Sequence, residues 1–125
     1  MKREALLKHC RGLPRATEDV KWKKDLVFSV GGKMFACFNM EDDRHIGFKT
    51  TPQKFRELVG RPGIIPAPYA ARFHWVSVEK TTALTAAQLK QFITESYLLV
   101  AAKLPKGVRK KLGLFDDTPA PRSRR

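Results

Sequence analysis

The chain has 125 residues, of which 42% are hydrophobic and eight are phenylalanine. That length and apolar content fit one folded domain with a real core, and they exclude a wholly disordered chain. Lysine and arginine number 25 against 12 acidic residues, which gives a formal net charge of +13. A charge of this sign favours polyanionic partners: nucleic acid first, an anionic membrane surface or an acidic protein second.

The two cysteines, Cys10 and Cys37, are too few for a disulfide framework or a zinc site. Each has apolar neighbours in the sequence, which indicates buried thiols in a reducing compartment. No apolar run approaches the roughly 18 residues that a membrane-spanning helix needs, and the N-terminus is too mixed in charge for a signal peptide. We expect a cytoplasmic protein with no cofactor, no metal and no membrane partner, and we favour a monomer.

The N-terminal segment is predicted to form a short helix over residues 2–12 and then a first strand between residues 16 and 24. Near the end of this strand Trp22 is flanked by three lysines, Lys21, Lys23 and Lys24. One interpretation of Trp22 is a base-stacking platform. We favour the other interpretation, a core anchor, because burying an indole ring is a large apolar gain.

A β-hairpin is predicted at Gly31-Gly32-Lys33, which separates two apolar, strand-forming runs at residues 26–30 and 34–40. A two-residue loop would place Phe28 opposite Phe35 and leave both faces mixed. A three-residue loop pairs Phe28 with Met34 and gathers one apolar face, formed by Leu26, Phe28, Met34, Ala36, Phe38 and Met40. One-sided burial specifies register most firmly, so we expect the three-residue loop with a bulge at Gly32.

The middle of the chain is predicted to contain a polar turn, a strand, a helix and a long connection. The turn at residues 41–45 holds three acids and a histidine, but consecutive side chains diverge, so we favour a solvated turn over a metal site. A strand follows at residues 46–49, and Thr51-Pro52 is a typical helix start. Residues 60–73 are rich in Pro and Gly and predict a long irregular connection, a kind of loop that is often functional.

Toward the C-terminus the sequence predicts one more strand and one long helix. The strand covers residues 74–80, with Trp75 on the opposite side from Val76. The helix begins at Thr85, which can form a capping box with Gln88, and it continues to about residue 103. This helix is apolar enough to cover the sheet.

The charge is densest just after this helix, where five cations follow one another without an acid: Lys103, Lys106, Arg109, Lys110 and Lys111. Cations at the end of a helix complement its dipole, but that effect accounts for one or two of them and not for five. We expect one domain over residues 1–113 and a disordered basic tail over residues 114–125.

Several short motifs, in this order and spacing, resemble the MmcQ/YjbR family: Trp22, Val27-Phe28, residues 30–36, Pro66-Ala67, Trp75-Val76, Ser96-Tyr97 and residues 103–106. The resemblance covers roughly residues 5–106. It implies an α+β fold in which an antiparallel β-sheet is covered by N- and C-terminal helices, similar to the frataxin-like fold. It also implies a DNA-binding protein with two wings, at residues 31–33 and 41–44. The acids of the second wing would repel DNA.

We therefore expect a DNA-binding protein of low sequence specificity, whose cations contact phosphates. The expected nucleic-acid-binding residues are Lys21, Lys23, Lys24, Lys33, Arg72, Lys103, Lys106, Arg109, Lys110 and Lys111. The alternative is a domain that binds a small anion or an acidic protein in a pocket formed by Trp22, Lys33, Trp75, Ser96 and Tyr97. An enzyme is not expected, because the sequence shows neither a nucleophile with a base nor a phosphate-binding loop.

Overall fold

The structure, a computed structural model, describes residues 2–41, 45–80 and 82–113. The strands are β1 (Thr17–Lys21), β2 (Asp25–Val30), β3 (Lys33–Asn39), β4 (Ile46–Lys49), β5 (Ile64–Pro66) and β6 (Trp75–Val78). The helices are α1 (Lys2–Arg11), α2 (Pro52–Val59), α3 (Ala86–Ala102), α4 (Lys106–Leu112) and a short 3-10 helix, Ala71–Phe73. Residues 42–44 of the predicted second wing (residues 41–44) and the whole predicted tail, residues 114–125, lie outside the described residues.

The six strands form one antiparallel sheet in the order β1-β2-β3-β4-β6-β5. Helix α3 packs across β2, β3 and β4, α1 packs on α3, and α2 covers β5 and β6. The predicted α+β fold, a sheet covered by N- and C-terminal helices, is confirmed. None of the helices in the described ranges is both long and apolar enough to cross a membrane.

The hydrophobic core lies between the sheet and helices α1 and α3. It is rich in aromatic rings: Phe28 meets Phe38 edge-on at 5.9 Å between ring centroids, and Phe35 meets Tyr97 edge-on at 5.3 Å. All three phenylalanines are fully buried. Such edge-to-face contacts add stabilisation beyond the area that they bury, which makes this cluster the centre of the domain.

The predicted register of the β2–β3 hairpin is wrong. The loop has two residues, Gly31 and Gly32, both at positive φ, and Val30 pairs with Lys33. The bulge lies inside β3 instead, because Ser29 pairs with Met34 while Phe28 pairs with Ala36, which leaves Phe35 as the extra residue. The bulge still buries one face, as expected, but it turns Phe35 rather than Met34 into the core.

Both helix starts predicted from local motifs are confirmed. The side chain of Thr51 accepts a hydrogen bond from the Lys54 N–H at 3.2 Å, with Pro52 in the first turn of α2. Thr85 and Gln88 form a reciprocal capping box at the start of α3. These signals involve only neighbouring backbone groups, so they need no knowledge of the fold.

The connection at residues 60–73 is more ordered than expected. Ile64–Pro66 forms the edge strand β5, in which Ile64 is buried and Ile65 is exposed. The 3-10 helix then leads into β6, where Trp75 and Val76 point to opposite sides as predicted. The remaining turn, residues 67–70, lies over the face of the sheet opposite α1 and α3, which we call the open face.

Candidate nucleic-acid interface

The hairpin tip, the end of α3 and helix α4 meet at one end of the sheet. Gly31 approaches Leu104 so closely that a Cβ added at Gly31 would lie 2.6 Å from Leu104 Cδ1. On the other side, Arg15 Nε donates a hydrogen bond to the Leu112 carbonyl oxygen at 3.0 Å. These contacts bring the predicted wing residue Lys33 to the same end of the sheet as the cations of residues 103–111.

Lys49, which the sequence did not single out, lies at the same end. Its Nζ donates to the Phe73 carbonyl oxygen at 2.7 Å, so it adjoins the 3-10 helix that carries Arg72. Burial, and then the neighbouring charge of Lys103, lower the pKa of Lys49. The charges of Lys49 and Lys103 are thus close enough to act on one another.

We call this surface the basic end, and it comprises Arg15, Lys33, Lys49, Arg72, Lys103, Lys106, Arg109, Lys110 and Lys111. Within the described ranges, none of the nine has a carboxylate oxygen within the 4.0 Å of an ion pair. Arg11 also lies near, but its charge is matched by Glu18 at 2.7 Å. The basic end therefore carries a concentrated positive charge that no carboxylate of the described residues pairs with.

The other predicted cations, Lys21, Lys23 and Lys24, do not join the basic end. They lie at the β1–β2 turn, and β2 carries the chain from there to the hairpin tip in six residues. At about 3.3 Å per residue, the two ends of β2 are roughly 17 Å apart. The predicted group of these lysines with Lys33 is therefore split between opposite ends of the sheet.

The preferred interpretation of Trp22 as a core anchor is wrong. The ring is 63% exposed, because Trp22 follows the last residue of β1 and begins a turn in which Trp22 and Lys23 both have positive φ. A residue in that turn does not follow the in-and-out alternation of the strand. Trp22 instead projects at one end of a groove on the open face.

The groove on the open face has a volume of about 800 Å³. Its floor crosses three paired strands at Cys37, Gly47 and Ser77, which lie side by side in the sheet. It is lined by Trp22, Lys24, Asp25, Met34, Cys37, Asn39, His45, Gly47, Ala67, Pro68, Tyr69, Ala70, Trp75 and Ser77. Aromatic and apolar residues dominate this lining, with a few polar groups among them.

A short hydrogen-bonded chain lies at one side of the groove. Ser77 Oγ donates to Glu79 Oε2 at 2.6 Å, and His45 Nδ1 lies 2.7 Å from the same oxygen. Nearby, burial raises the pKa of the Cys37 thiol to about 11, so the thiol is neutral at pH 7. Among the residues that the structure describes, no three His, Cys, Asp or Glu side chains are grouped to hold a metal ion.

The predicted five-residue pocket does not form as one site. Trp22 and Trp75 both line the groove, but Lys33 stands at the hairpin tip and is not part of the lining. Ser96 and Tyr97 lie on the helix side of the sheet: Ser96 donates to the Phe35 carbonyl oxygen at 2.7 Å, and Tyr97 Oη donates to that of Pro14 at 2.6 Å. Their hydroxyls are used in packing α3 on the sheet.

The sequence interpretation missed Tyr69, His45 and Gly47 as groove residues. Tyr69 lies in the long connection that was noted for its length, and that length was the available signal. Gly47 and His45 have no comparable signal, because their place in the groove depends on which residues of β3, β4 and β6 lie opposite one another. That register is decided by packing between distant segments.

Comparisons with known proteins agree with the fold. A model of the YjbR family matches residues 11–99. The uncharacterised protein YbdF of Escherichia coli O157:H7 is 31% identical over 90 residues, which is 69% of this chain and 72% of that protein.

Two solved structures are similar. The crystal structure of the Deinococcus radiodurans protein DR2400, which has a DUF419 domain, matches with a TM-score of 0.80 and 32% identity over 90% of this chain and 88% of that one. A Pseudomonas syringae protein, structural-genomics target PsR293, matches with a TM-score of 0.64 at 22% identity over 80% and 99% of the two chains, and it shares the fold. With the family model matching most of its length, the chain belongs to the YjbR family.

Proposed function

We propose that the protein binds nucleic acid, and DNA first, through phosphate contacts of low sequence specificity. The observation that carries this proposal is the basic end, where nine cations have no carboxylate partner within the described ranges. Cations that neutralise phosphates release the counterions condensed on the nucleic acid, and this release supplies most of the non-specific affinity.

A purely structural explanation accounts for only part of this charge. Helix α3 ends at Ala102, so Lys103 can complement the negative end of its dipole. That dipole amounts to roughly half an elementary charge and acts over about one turn. It does not explain why Lys33 of the hairpin tip and Lys49 of β4 meet at the same place. Attraction of a polyanion does explain that convergence.

The proposal does not require a helix that reads base sequence. Helix α4 is short, KGVRKKL, and it carries neither Asn nor Gln, which would read adenine. Exposed lysines such as Lys110 and Lys111 are suited to phosphate oxygens as point charges. The tip at Gly31 and Gly32, followed by exposed Lys33, fits the role of a wing beside the duplex backbone, as the family resemblance implies.

We further propose a binding protein and not an enzyme. The candidate constellation is Ser77, Glu79 and His45, because hydrogen bonds join all three. In this chain, however, the serine donates to the carboxylate and not to the imidazole. A serine nucleophile needs its base within hydrogen-bond reach, in the order serine, histidine, carboxylate, and this arrangement is different.

A cytoplasmic location is part of the proposal. Cys10 and Cys37 are both free thiols, and burial raises the pKa of Cys10 to about 12 and that of Cys37 to about 11. One buried and one half-buried thiol, both neutral at pH 7, are compatible with a reducing compartment, and nucleic acid is present there.

The test is a salt titration of binding to a short duplex of random sequence, measured by fluorescence polarisation. We expect the logarithm of affinity to fall linearly with the logarithm of salt, by about 0.9 for each phosphate neutralised. A flat dependence, or heparin and DNA competing identically, would remove the support for nucleic acid. A small metabolite that raises the melting temperature, with no duplex binding, would favour the alternative of a small-anion site.

A further inference from the structure

Two exposed aromatic rings stand at the groove on the open face, and both are on unusual backbone. Trp22 has φ 53° and Tyr69 has φ 66°, the left-handed region that non-glycine residues rarely adopt. His45, at φ 63°, also lines the groove, so three of the six described non-glycine residues with positive φ meet at this site. Strained residues concentrate at functional sites, because folding alone gives no reason to keep them.

Neither ring has a packing role that would explain its presence. Trp22 is 63% exposed and Tyr69 is fully exposed. A buried aromatic ring contributes to the core, whereas an exposed one gains little until a partner covers it. Both rings are therefore available to a ligand.

Hydrogen-bonded turns hold the backbone that carries the two rings. The turn that carries Trp22 is closed by the pairing of Lys21 with Asp25, and Met40 N–H donates to the Lys24 carbonyl oxygen at 2.7 Å. The turn that carries Tyr69 is tied down by Ala67 N–H, which donates to the Trp75 carbonyl oxygen at 3.0 Å, and by Ala70 N–H, which donates to Ala67. Because the backbone of both turns is fixed in advance, ordering it costs little on binding.

Between the rings the floor is flat and mostly apolar. Gly47 leaves the centre of the floor without a side chain, and Trp75 lies beside it, 3.7 Å from where a Cβ of residue 47 would be. The volume of about 800 Å³ is within the range of sites that bind organic ligands. A flat apolar floor with exposed rings at its margins suits planar aromatic groups.

The charges around the groove fit a polyanion that carries such groups. Lys21, Lys23 and Lys24 flank Trp22 at one end of the sheet, and the basic end lies at the other. Among the described residues of the lining Asp25 is the one carboxylate; it would repel a phosphate but can accept a hydrogen bond from an amino group of a base. A ligand for this groove needs a negatively charged backbone that contacts the lysines at the rim and planar groups that enter the groove. Single-stranded nucleic acid has both properties.

We infer that the groove on the open face binds an unpaired strand of nucleic acid, with Trp22 and Tyr69 stacking on its bases. The inference rests on the proposed function, to which it adds the state of the nucleic acid and the residues that read it. A duplex satisfies the basic end but keeps its bases stacked inside. An unpaired strand can use both the cations and the rings, so it should bind more tightly.

The experiment compares a labelled single strand of about eight nucleotides, within the footprint of single-strand-binding folds, with a duplex of equal length at one fixed salt concentration. Trp22→Asn and Tyr69→Asn remove the rings, and asparagine tolerates the left-handed backbone. We expect each variant to lose about 5- to 100-fold in affinity for the single strand, the range of one base–aromatic stack. We expect less than about a twofold change for the duplex, and melting temperatures at or above wild type, because no core packing is lost.

Two further variants separate stacking from loss of fold. Gly47→Ala adds a methyl group to the floor of the groove, where the nearest atom to the new Cβ is 3.6 Å away, so the fold should persist while binding of the single strand falls. Leu98→Ala, at an exposed position on α3, is the control and should change neither the melting temperature nor the affinity for the single strand. Trp75→Phe leaves Trp22 as the sole tryptophan, and its fluorescence should be quenched by the single strand.

Each outcome decides between the two proposals. Salt-dependent duplex binding with no effect of the ring variants on the single strand would overturn the groove inference and leave the proposed function standing. Absence of binding to either nucleic acid would overturn both. A mononucleotide that binds as tightly as the strand would overturn the groove inference in favour of a small-molecule site. DNA and RNA strands of one sequence, compared in parallel, distinguish the two sources of unpaired bases.

Discussion

The hydroxyl of Ser96 donates a hydrogen bond to the Phe35 carbonyl oxygen at 2.7 Å and accepts one from the Lys49 N–H at 2.9 Å. Phe35 is the extra residue of the β3 bulge, and the pairing of β3 with β4 extends only to Ala36 and Phe48. One buried side chain on α3 therefore satisfies two backbone groups that the sheet leaves unpaired. This contact fixes α3 on the sheet and, through α3, the position of the basic end.

The first prediction concerns this contact. Ser96→Ala leaves the Phe35 carbonyl and the Lys49 N–H without their partner, and we expect a loss of about 2 kcal/mol in unfolding free energy, because each buried unpaired group is costly. Urea denaturation measures it. Gln91→Ala, on the exposed side of α3, should stay within about 0.5 kcal/mol of wild type. If Ser96→Ala also changed the unfolding free energy by no more than about 0.5 kcal/mol, the prediction would be contradicted.

The second prediction separates two costs at the hairpin tip. Gly31 and Gly32 both have positive φ, but a Cβ at Gly31 would lie 2.6 Å from Leu104 Cδ1, whereas a Cβ at Gly32 meets nothing within 4 Å. Gly32→Ala should cost about 1 kcal/mol, the backbone term alone. Gly31→Ala should cost at least about 1 kcal/mol more, because Leu104 is buried and cannot move freely.

A double-mutant cycle checks this assignment. Leu104→Ala removes the clashing methyl groups, so in combination with Gly31→Ala the losses should sum to more than the double mutant shows. The same cycle with Gly32→Ala should be additive. Equal costs of Gly31→Ala and Gly32→Ala would show that the contact with Leu104 has no energetic weight.

The third prediction is a pH dependence at Cys10. Burial raises the pKa of this thiol from 9.0 to about 12. Above pH 9 the unfolded chain therefore releases the thiol proton while the folded chain keeps it. The stabilisation is fully present below pH 9 and is lost, by about 1.4 kcal/mol per pH unit, as the pH rises through that window.

Cys10→Ala isolates this contribution. The wild type should be more stable than Cys10→Ala at about pH 8, and its advantage should shrink by about 2 kcal/mol at about pH 10.5. Lysine and tyrosine ionisation affects both proteins alike and cancels in the difference. Leu7→Val, a change without ionisation in the same helix, should show a cost independent of pH. A constant difference for Cys10→Ala would refute the prediction.

The fourth prediction concerns the basic end. Lys103→Glu with Lys106→Glu should weaken duplex binding by about tenfold or more and reduce the salt slope by about 2, since two phosphate contacts are lost. Arg61→Glu with Lys80→Glu makes the same change in net charge at exposed positions at the far end of the sheet. If the two pairs weaken binding equally, net charge and not the basic end attracts the duplex.

Much of the secondary structure follows from short stretches of sequence. The capping box of Thr85 and Gln88, the Thr51-Pro52 start of α2 and the glycine pair of the hairpin each depend on residues within about four positions. The hydrogen bonds of the two helix starts form within one turn, so the sequence alone predicts them, and the glycine pair marks the place of the hairpin turn but not the length of its loop. The order of such motifs was also enough to indicate the family.

The predictions that failed concern the register of the sheet and the direction in which a side chain leaves its turn. The register of β2 and β3 depended on whether Phe35 or Met34 could pack against Tyr97, a residue more than sixty positions away. Trp22 was expected in the core because burial of its ring is favourable, yet the positive φ of its turn directs it to the groove. Local sequence offered no way to weigh these alternatives, since the deciding contacts come from α3 and from the open face.

By itself the sequence determined the excess of positive charge, the helix starts at Thr51 and Thr85, and the place of the hairpin. Only the tertiary structure decided that Lys33 and Lys49 join the cations of α4, that Lys21, Lys23 and Lys24 do not, and that Trp22 and Tyr69 face one groove. The physical reason is the distance along the chain between the residues that interact. Hydrogen bonds within a turn are fixed by neighbours, whereas a surface is assembled by packing, which brings together residues that the chain keeps far apart.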